Sequence, residues 1–131
     1  MTPDELTALG RRAVACKHWA WRPGMATTDG SRIGRVNADS SVALIMGTPF
    51  VGGPLPDLSD PGTLGCVLAL VRRAWGDPHI CTRSMTTCID GENWAPGPWR
   101  VASTSAHLIG IPLAHGQTEA EALIAALEAA P

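Results

Sequence analysis

Residues 60–76 read DPGTLGCVLALVRRAWG, a segment whose two ends both carry helix signals. Asp60 is a favoured N-cap residue, and Pro61 follows at the first helical position, where its missing N–H costs nothing. Gly76 stands where a helix commonly ends on a glycine. Between these ends, apolar residues occupy more than one face. We therefore predict a helix from Pro61 to about Trp75 that is covered on several sides and forms the centre of the fold.

Two further helices are indicated by capping boxes near the ends of the chain. Residues 2–5 (TPDE) and 118–121 (TEAE) both follow the Thr-x-x-Glu pattern, in which threonine and glutamate satisfy each other's free backbone amides. Each box introduces an apolar run, spaced by three and four residues in the first case and rich in alanine in the second. We predict helices over residues 3 to about 16 and 119–130.

The segments between these helices have the features of antiparallel strands. Asp29-Gly30 and Asp90-Gly91 are typical of tight hairpin turns. The first is expected within a hairpin over residues 25–36, and residues 41–46 could add a strand. The second connects predicted strands at 79–89 and 99–103, with a loop at 94–98. The polar residues of the 79–89 strand indicate that one of its faces is exposed to solvent or contacts a partner.

The predicted fold is α/β of the α+β kind, with three helices packed on antiparallel β-hairpins in a two- or three-layer sandwich. The element order is α-β-β-α-β-β-α, and no state is assigned to the apolar segment 107–114. The 131 residues suit a single domain, and 45% hydrophobic residues should supply its core. A Gly- and Pro-rich loop is predicted at 47–58.

Charge divides the chain unequally. Residues 1–36 hold six basic and three acidic residues, which gives +3, whereas residues 37–131 hold four basic and nine acidic residues, which gives −5. Trp19 and Trp21 stand at alternate positions within residues 17–22, which predicts a strand with both tryptophans on one side. Burial of these tryptophans in the core is favoured over base stacking. The predicted binding residues are Arg11, Arg12, Lys17, Trp19, Trp21, Arg22, Arg32, Arg35 and Phe50.

Cysteine and histidine form two short pairs that could contribute to a metal site. Cys16 and His18 are spaced C-x-H, and His79 and Cys81 are spaced H-x-C, so the four could form a tetrahedral zinc site if their segments lie side by side. The C-x-H spacing is unusual for zinc, and cysteine is often buried as a small hydrophobe. We expect no cofactor and no metal.

No nucleotide-binding, metalloprotease or hydrolase motif occurs in the sequence. The spacing of the histidines and carboxylates gives no reason to place any two together as a general acid and base. We therefore expect a non-catalytic protein, with a small enzyme as the last alternative. No membrane span and no basic-then-apolar leader are recognised, so a cytoplasmic protein without a membrane partner is expected.

Nucleic-acid binding is a stronger alternative than catalysis. The α-β-β order with an alanine-rich last helix is superficially similar to double-stranded RNA-binding domains. Those domains place lysines at the start of that helix, whereas Glu119 and Glu121 stand there in this chain and repel phosphate. Any nucleic acid is therefore expected on the cations of the N-terminal half, with Trp19 or Trp21 stacking on bases.

The second half of the chain resembles a family of small phage and prophage proteins known as phage ABA sandwich domains. The residues that carry this resemblance are 58–66 (LSDPGTLGC), 68–72 (LALVR), 75–76 (WG), 99–101 (WRV) and 118–123 (TEAEAL). The resemblance implies a layered α/β fold and a phage or prophage origin, and it carries no catalytic residues.

A phage origin suggests a role through binding in the cytoplasm of an infected bacterium. Small phage accessory proteins often act on host machinery, so the leading expectation is a stoichiometric inhibitor of a host defence system. Such an inhibitor could be anti-CRISPR-like, with a host protein or complex as its partner, or could sequester a signalling nucleotide. A homodimer is left open.

Overall fold

The computed structural model describes residues 1–44, 54–88, 94–104 and 112–131, which contain three helices and five strands. The elements are α1 (Pro3–Ala15), β1 (Ile33–Val36), β2 (Val42–Leu44), α2 (Pro61–Trp75), β3 (Ile80–Cys88), β4 (Trp94–Ser103), β5 (Pro112–Gly116) and α3 (Glu119–Glu128). Strands β1 and β2 form one antiparallel sheet, and β3, β4 and β5 form a second, in that order. The predicted α+β class and element order are confirmed, and β5 adds a third strand to the second sheet.

All three helices begin where their caps predict. In α1 and α3 the threonine hydroxyl accepts the amide of the third helical residue, at 3.2 Å in both, and the glutamate carboxylate accepts the threonine amide. In α2 the Asp60 carboxylate accepts the Thr63 amide at 2.7 Å. Gly76 ends α2 in the left-handed conformation, with φ of 63°. Helix α3 ends at Glu128, two residues before the predicted end.

The predicted strand at 17–22 is wrong. The amide of Trp19 donates to the carbonyl of Cys16 at 3.0 Å, so the chain turns immediately after α1 instead of extending. The two tryptophan rings meet edge to face, with centroids 5.4 Å apart and an interplanar angle of 86°. Both rings are partly buried and pack against the core, as the core interpretation predicts.

The hairpins differ in detail from the predicted ones. Around Asp29-Gly30 the chain makes a tight turn, with the Thr27 amide bonded to the Ser31 carbonyl at 2.9 Å, but only a single bridge, Ala26–Arg32, extends it. The ladder of the first sheet lies further on, between β1 and β2. Residues 94–98, predicted as a loop, belong to β4, and residues 94–96 pair with the end of β3. The turn at Asp90-Gly91, residues 45–46 of the predicted strand and residues 47–53 of the predicted loop lie outside the described residues.

The central helix is α3, and the prediction that α2 forms the centre is wrong. Helix α3 packs against α1, α2 and all three strands of the second sheet. Gly116 permits its close approach to the sheet, since a Cβ atom there would lie 2.4 Å from the Ala122 nitrogen. The buried residues of α3 are Ala120, Ala122, Leu123, Ile124, Ala126 and Leu127, against Thr63, Val67, Leu70 and Val71 in α2.

Side chains from distant segments satisfy the last turn of α3, where a helix leaves carbonyl groups without helical partners. The indole Nε1 of Trp75 donates to the Ala126 carbonyl at 2.8 Å, and the Sγ of Cys16 lies 3.6 Å from the Leu127 carbonyl. Arg12 donates two hydrogen bonds, of 3.1 and 2.7 Å, to the Glu128 carboxylate. The end of α3 therefore joins α1, the segment after α1, and α2.

Candidate binding site

A cleft of about 390 Å³ lies between the segment that follows α1 and the C-terminal half of α2. We refer to it as the basic cleft. Its lining residues are Lys17, His18, Trp19 and Ala20 from the first segment and Leu70, Arg73 and Ala74 from the helix.

The local structure on both sides explains why these side chains meet. On one side, the turn after α1 directs the chain past the end of α3, where Nε2 of His18 lies 3.3 Å from the Ala130 carbonyl oxygen. On the other side, Leu70, Arg73 and Ala74 are three and four residues apart and share one face of α2. Leu70 is buried in the core. Arg73 and Ala74 follow it on the same face of the helix and lie at the edge of the core.

The electrostatic character of the basic cleft is cationic. The side chains of Lys17 and Arg73 are exposed, and neither forms an ion pair or side-chain hydrogen bond within the described part of the chain. None of the lining residues is acidic. Two unneutralised cations beside a partly enclosed volume create a positive potential that attracts an anion.

Trp19, which lines the basic cleft, carries a buried donor without a partner in the part of the chain that the structure describes. Its Nε1 is buried and has no hydrogen-bond partner among the described residues, in contrast to Nε1 of Trp75, which donates to α3. A buried indole N–H normally has a partner, and leaving one without costs about 1–3 kcal/mol.

Two of the predicted binding cations are committed to carboxylates. Arg12 pairs with Glu128, and this hydrogen bond raises the pKa of the Arg12 guanidinium. Arg32 donates to the carbonyl of Gly24 at 2.6 Å and pairs with Asp60, 3.2 Å away. Arg32 therefore stabilises the N-cap of α2.

The other predicted residues divide into those at the basic cleft and those away from it. Lys17 and Trp19 line it, and Trp21 packs on Trp19. Arg11, Arg22 and Arg35 are exposed elsewhere, and Phe50 lies outside the described residues.

The sequence interpretation missed Arg73, because its meeting with Lys17 depends on tertiary packing. The available signal was the Arg72-Arg73 pair in the last turn of a helix, where cations are favoured in any case.

The metal hypothesis is not supported by the arrangement of its four residues. Cys16 and His18 both lie against carbonyl groups at the end of α3. His79 is exposed just before β3, and Cys81 lies within that strand. In the part of the chain that the structure describes, no three residues among His, Cys, Asp and Glu are grouped so that they could hold a metal ion.

Two other cavities are electrostatically different from the basic cleft. One, of about 380 Å³ beside β5, carries both Arg12 and Glu121. The other, of about 320 Å³, is mostly apolar and is lined by Leu6, Leu64 and Glu119 among others. Neither combines unpaired cations with an aromatic ring, so the basic cleft is the better candidate site.

Comparison of the chain with protein-family models, curated proteins and solved structures gives no match. The resemblance to phage ABA sandwich domains therefore stays a prediction. Among the described residues, no helix combines the length and apolar character needed to cross a membrane.

Proposed function

We propose that this protein acts by binding, and that the basic cleft holds a small anionic ligand with a planar ring, of the nucleotide class. The observation that supports this is the meeting of Lys17, Trp19 and Arg73 around about 390 Å³ of space, with no acidic residue in the lining. That volume falls within the roughly 300–1,000 Å³ of typical ligand sites.

The chemistry of the lining matches the parts of a nucleotide. Arginine and lysine both bind phosphate. Arginine does so through its planar guanidinium, and lysine does so through the compact charge of its ammonium group. A tryptophan supplies a flat apolar surface for a base, an interaction worth about 1–3 kcal/mol for a stacked base. Leu70 and Ala74 extend that apolar surface on the helical side.

The resemblance to phage proteins suggests the biological setting of this binding. We propose that the protein acts in an infected bacterium as a stoichiometric inhibitor that sequesters a signalling nucleotide of a host defence system. The other form of that role, anti-CRISPR-like docking on a host protein, is less favoured by the cleft. A protein partner requires a broad surface of about 800 Å² on each side, whereas the cleft is a concave site for a small group.

Calorimetric titration with a panel of linear and cyclic mono- and dinucleotides tests the proposal. At least one nucleotide should bind with one-to-one stoichiometry. The double variant Lys17→Glu/Arg73→Glu should weaken that binding at least tenfold, because it replaces two attractive charges by repulsive ones. Arg11→Glu/Arg35→Glu is the matched control, since it makes the same change in net charge at exposed positions outside the cleft. Its affinity should stay within about twofold of the parent protein, as expected for distant charges that salt screens.

Two results would contradict the proposal. One is the absence of binding by any nucleotide of the panel. The other is an equal loss of affinity in the two double variants, since that would show a general effect of net charge. A host protein that is captured equally well by the parent and by the cleft variant would place the function on another surface.

A further inference from the structure

Three basic residues form a row across the second sheet, on the face opposite α3. Arg83 of β3 is the register partner of Arg100 in β4, and Arg100 is the register partner of His115 in β5. Residues directly opposite each other in an antiparallel ladder project from the same face. We call this set the sheet row.

The position of α3 shows which face the sheet row occupies. Thr82, one residue from Arg83, donates to the Glu119 carboxylate of α3 at 2.6 Å. Gly116, one residue from His115, lies directly against α3 at Ala122. Because neighbouring residues of a strand project from opposite faces, the sheet row is on the side that α3 does not cover.

The sheet row has no neutralising partner in the described part of the chain. Arg83 and His115 are exposed, and the guanidinium of Arg100 contacts the sulfur of Met85 at 3.3 Å instead of a carboxylate. Cys81, Met85 and Ala102 share this face and are uncharged. Like charges placed directly opposite each other destabilise a sheet. The repulsion between Arg83 and Arg100 is therefore a cost that the binding of an anionic partner would reduce.

We propose that the sheet row is a docking surface for the phosphate backbone of a nucleic acid. Strands lie about 4.8 Å apart, so the row spans about 10 Å, a length over which duplex DNA carries about six phosphates. Two arginines directly opposite each other on a flat sheet, with a histidine beside them, match a polymer with regularly spaced negative charges better than they match a protein surface, where both signs are mixed. The ring of Trp99 packs toward the core, so base stacking is not part of this contact.

This surface differs from the one expected from the sequence. The N-terminal cations were the candidates for contact with nucleic acid, whereas Arg83 and Arg100 belong to the half of the chain with a net charge of −5. The sheet brings them together although they are separated along the chain. The proposal does not depend on the basic cleft, which lies on other elements.

Fluorescence anisotropy with a labelled duplex and its labelled single strand tests the proposal at low salt and over a salt series. Arg83→Glu should weaken binding about tenfold and reduce the slope of log K against log salt by about one, as expected for the loss of a phosphate contact. Arg35→Glu makes the same charge change at an exposed residue of β1 and should stay within about twofold of the parent. Lys17→Glu/Arg73→Glu should also retain the oligonucleotide affinity.

A second readout separates a lost contact from a damaged fold. Arg83→Glu should keep or raise the thermal midpoint, because it replaces a like-charge neighbour of Arg100 by an opposite one. Arg83→Gln should give an intermediate loss of affinity. The proposal fails if neither oligonucleotide binds, if Arg35→Glu weakens binding as much as Arg83→Glu, or if polyglutamate competes as well as unlabelled duplex.

Discussion

Helices α2 and α3 are both strongly apolar in sequence, yet they differ in burial and in position in the folded protein. Helix α3 buries six of its ten residues between the second sheet and the other two helices. Helix α2 is longer but buries four of fifteen, and its C-terminal half lines the basic cleft. The number of apolar residues in a helix therefore does not determine its burial, which depends on how many elements surround it.

The largest effect is expected from truncating α3. Leu127 is fully buried, so Leu127→Ala should lower the free energy of unfolding by about 3–5 kcal/mol. Leu68 of α2 is only partly buried, and Leu68→Ala should cost about 1–2 kcal/mol, below the 2–5 kcal/mol typical of a fully buried leucine. Urea denaturation of both variants measures the difference. Equal losses of unfolding free energy in the two variants would contradict the conclusion that α3, and not α2, is the central helix.

The close contact between α3 and β5 gives the next effect. A Cβ atom at residue 116 would lie 2.4 Å from the Ala122 nitrogen and 2.6 Å from the Glu121 Cβ, both too close to be accommodated without movement of the helix. Gly116→Ala should therefore cost about 1–3 kcal/mol, as overpacking does. Gly65→Ala in α2 is the matched control, because nothing lies within 4 Å of its added Cβ. Thermal denaturation of the two variants should separate them, and equal midpoints would show that α3 does not lie so close to the sheet.

The start of α2 should give a smaller, pH-dependent effect. The hydrogen bond from Arg32, helped by Thr63, lowers the pKa of the Asp60 carboxyl below its ordinary value of 3.8. A carboxyl whose pKa is lower in the folded state contributes stability above pH 4, and the contribution is lost as pH falls through the folded value. Asp60→Ala should cost about 1 kcal/mol at neutral pH, as expected for an N-cap.

The acid branch of the stability curve checks that assignment. The difference in unfolding free energy between the parent and Asp60→Ala should shrink as pH falls below 4. A difference that stays constant down to pH 2 would mean that the Asp60 charge is not involved. Asp4→Ala, at an exposed carboxylate that is not an N-cap, is the control and should cost less than Asp60→Ala at neutral pH.

The sequence predicted the parts of the fold that depend on local interactions. The caps at Thr2, Asp60 and Thr118 and the glycine at residue 76 act within a few residues, so their patterns locate the helix starts and the end of α2. The strand predicted at 17–22 failed because a turn hydrogen bond to Cys16 competes with extension. The strand β5 carries no alternating pattern strong enough to distinguish it from a loop.

The candidate site was only partly predictable for the same reason. Charge counting selected Lys17, and the alternating pattern of residues 17–22 selected the tryptophans. Neither could show that Arg12 and Arg32 are paired with Glu128 and Asp60. Nor could the sequence show that Arg73 lies beside the same cleft as Lys17, or that Arg83 lies opposite Arg100 in the sheet. These meetings are decided by long-range packing and strand register, which a single sequence does not display.

Hydrogen exchange, read by mass spectrometry with and without the nucleotide that binds best, tests the division between the two helices most directly. The amides of α3 should exchange slowest in both conditions, because their opening requires global unfolding. The amides of residues 70–75 in α2 and of 17–20 should become slower only when the nucleotide is present. Exchange in α3 as fast as in α2, or ligand protection that appears in α3 and leaves residues 17–20 and 70–75 unchanged, would contradict the account.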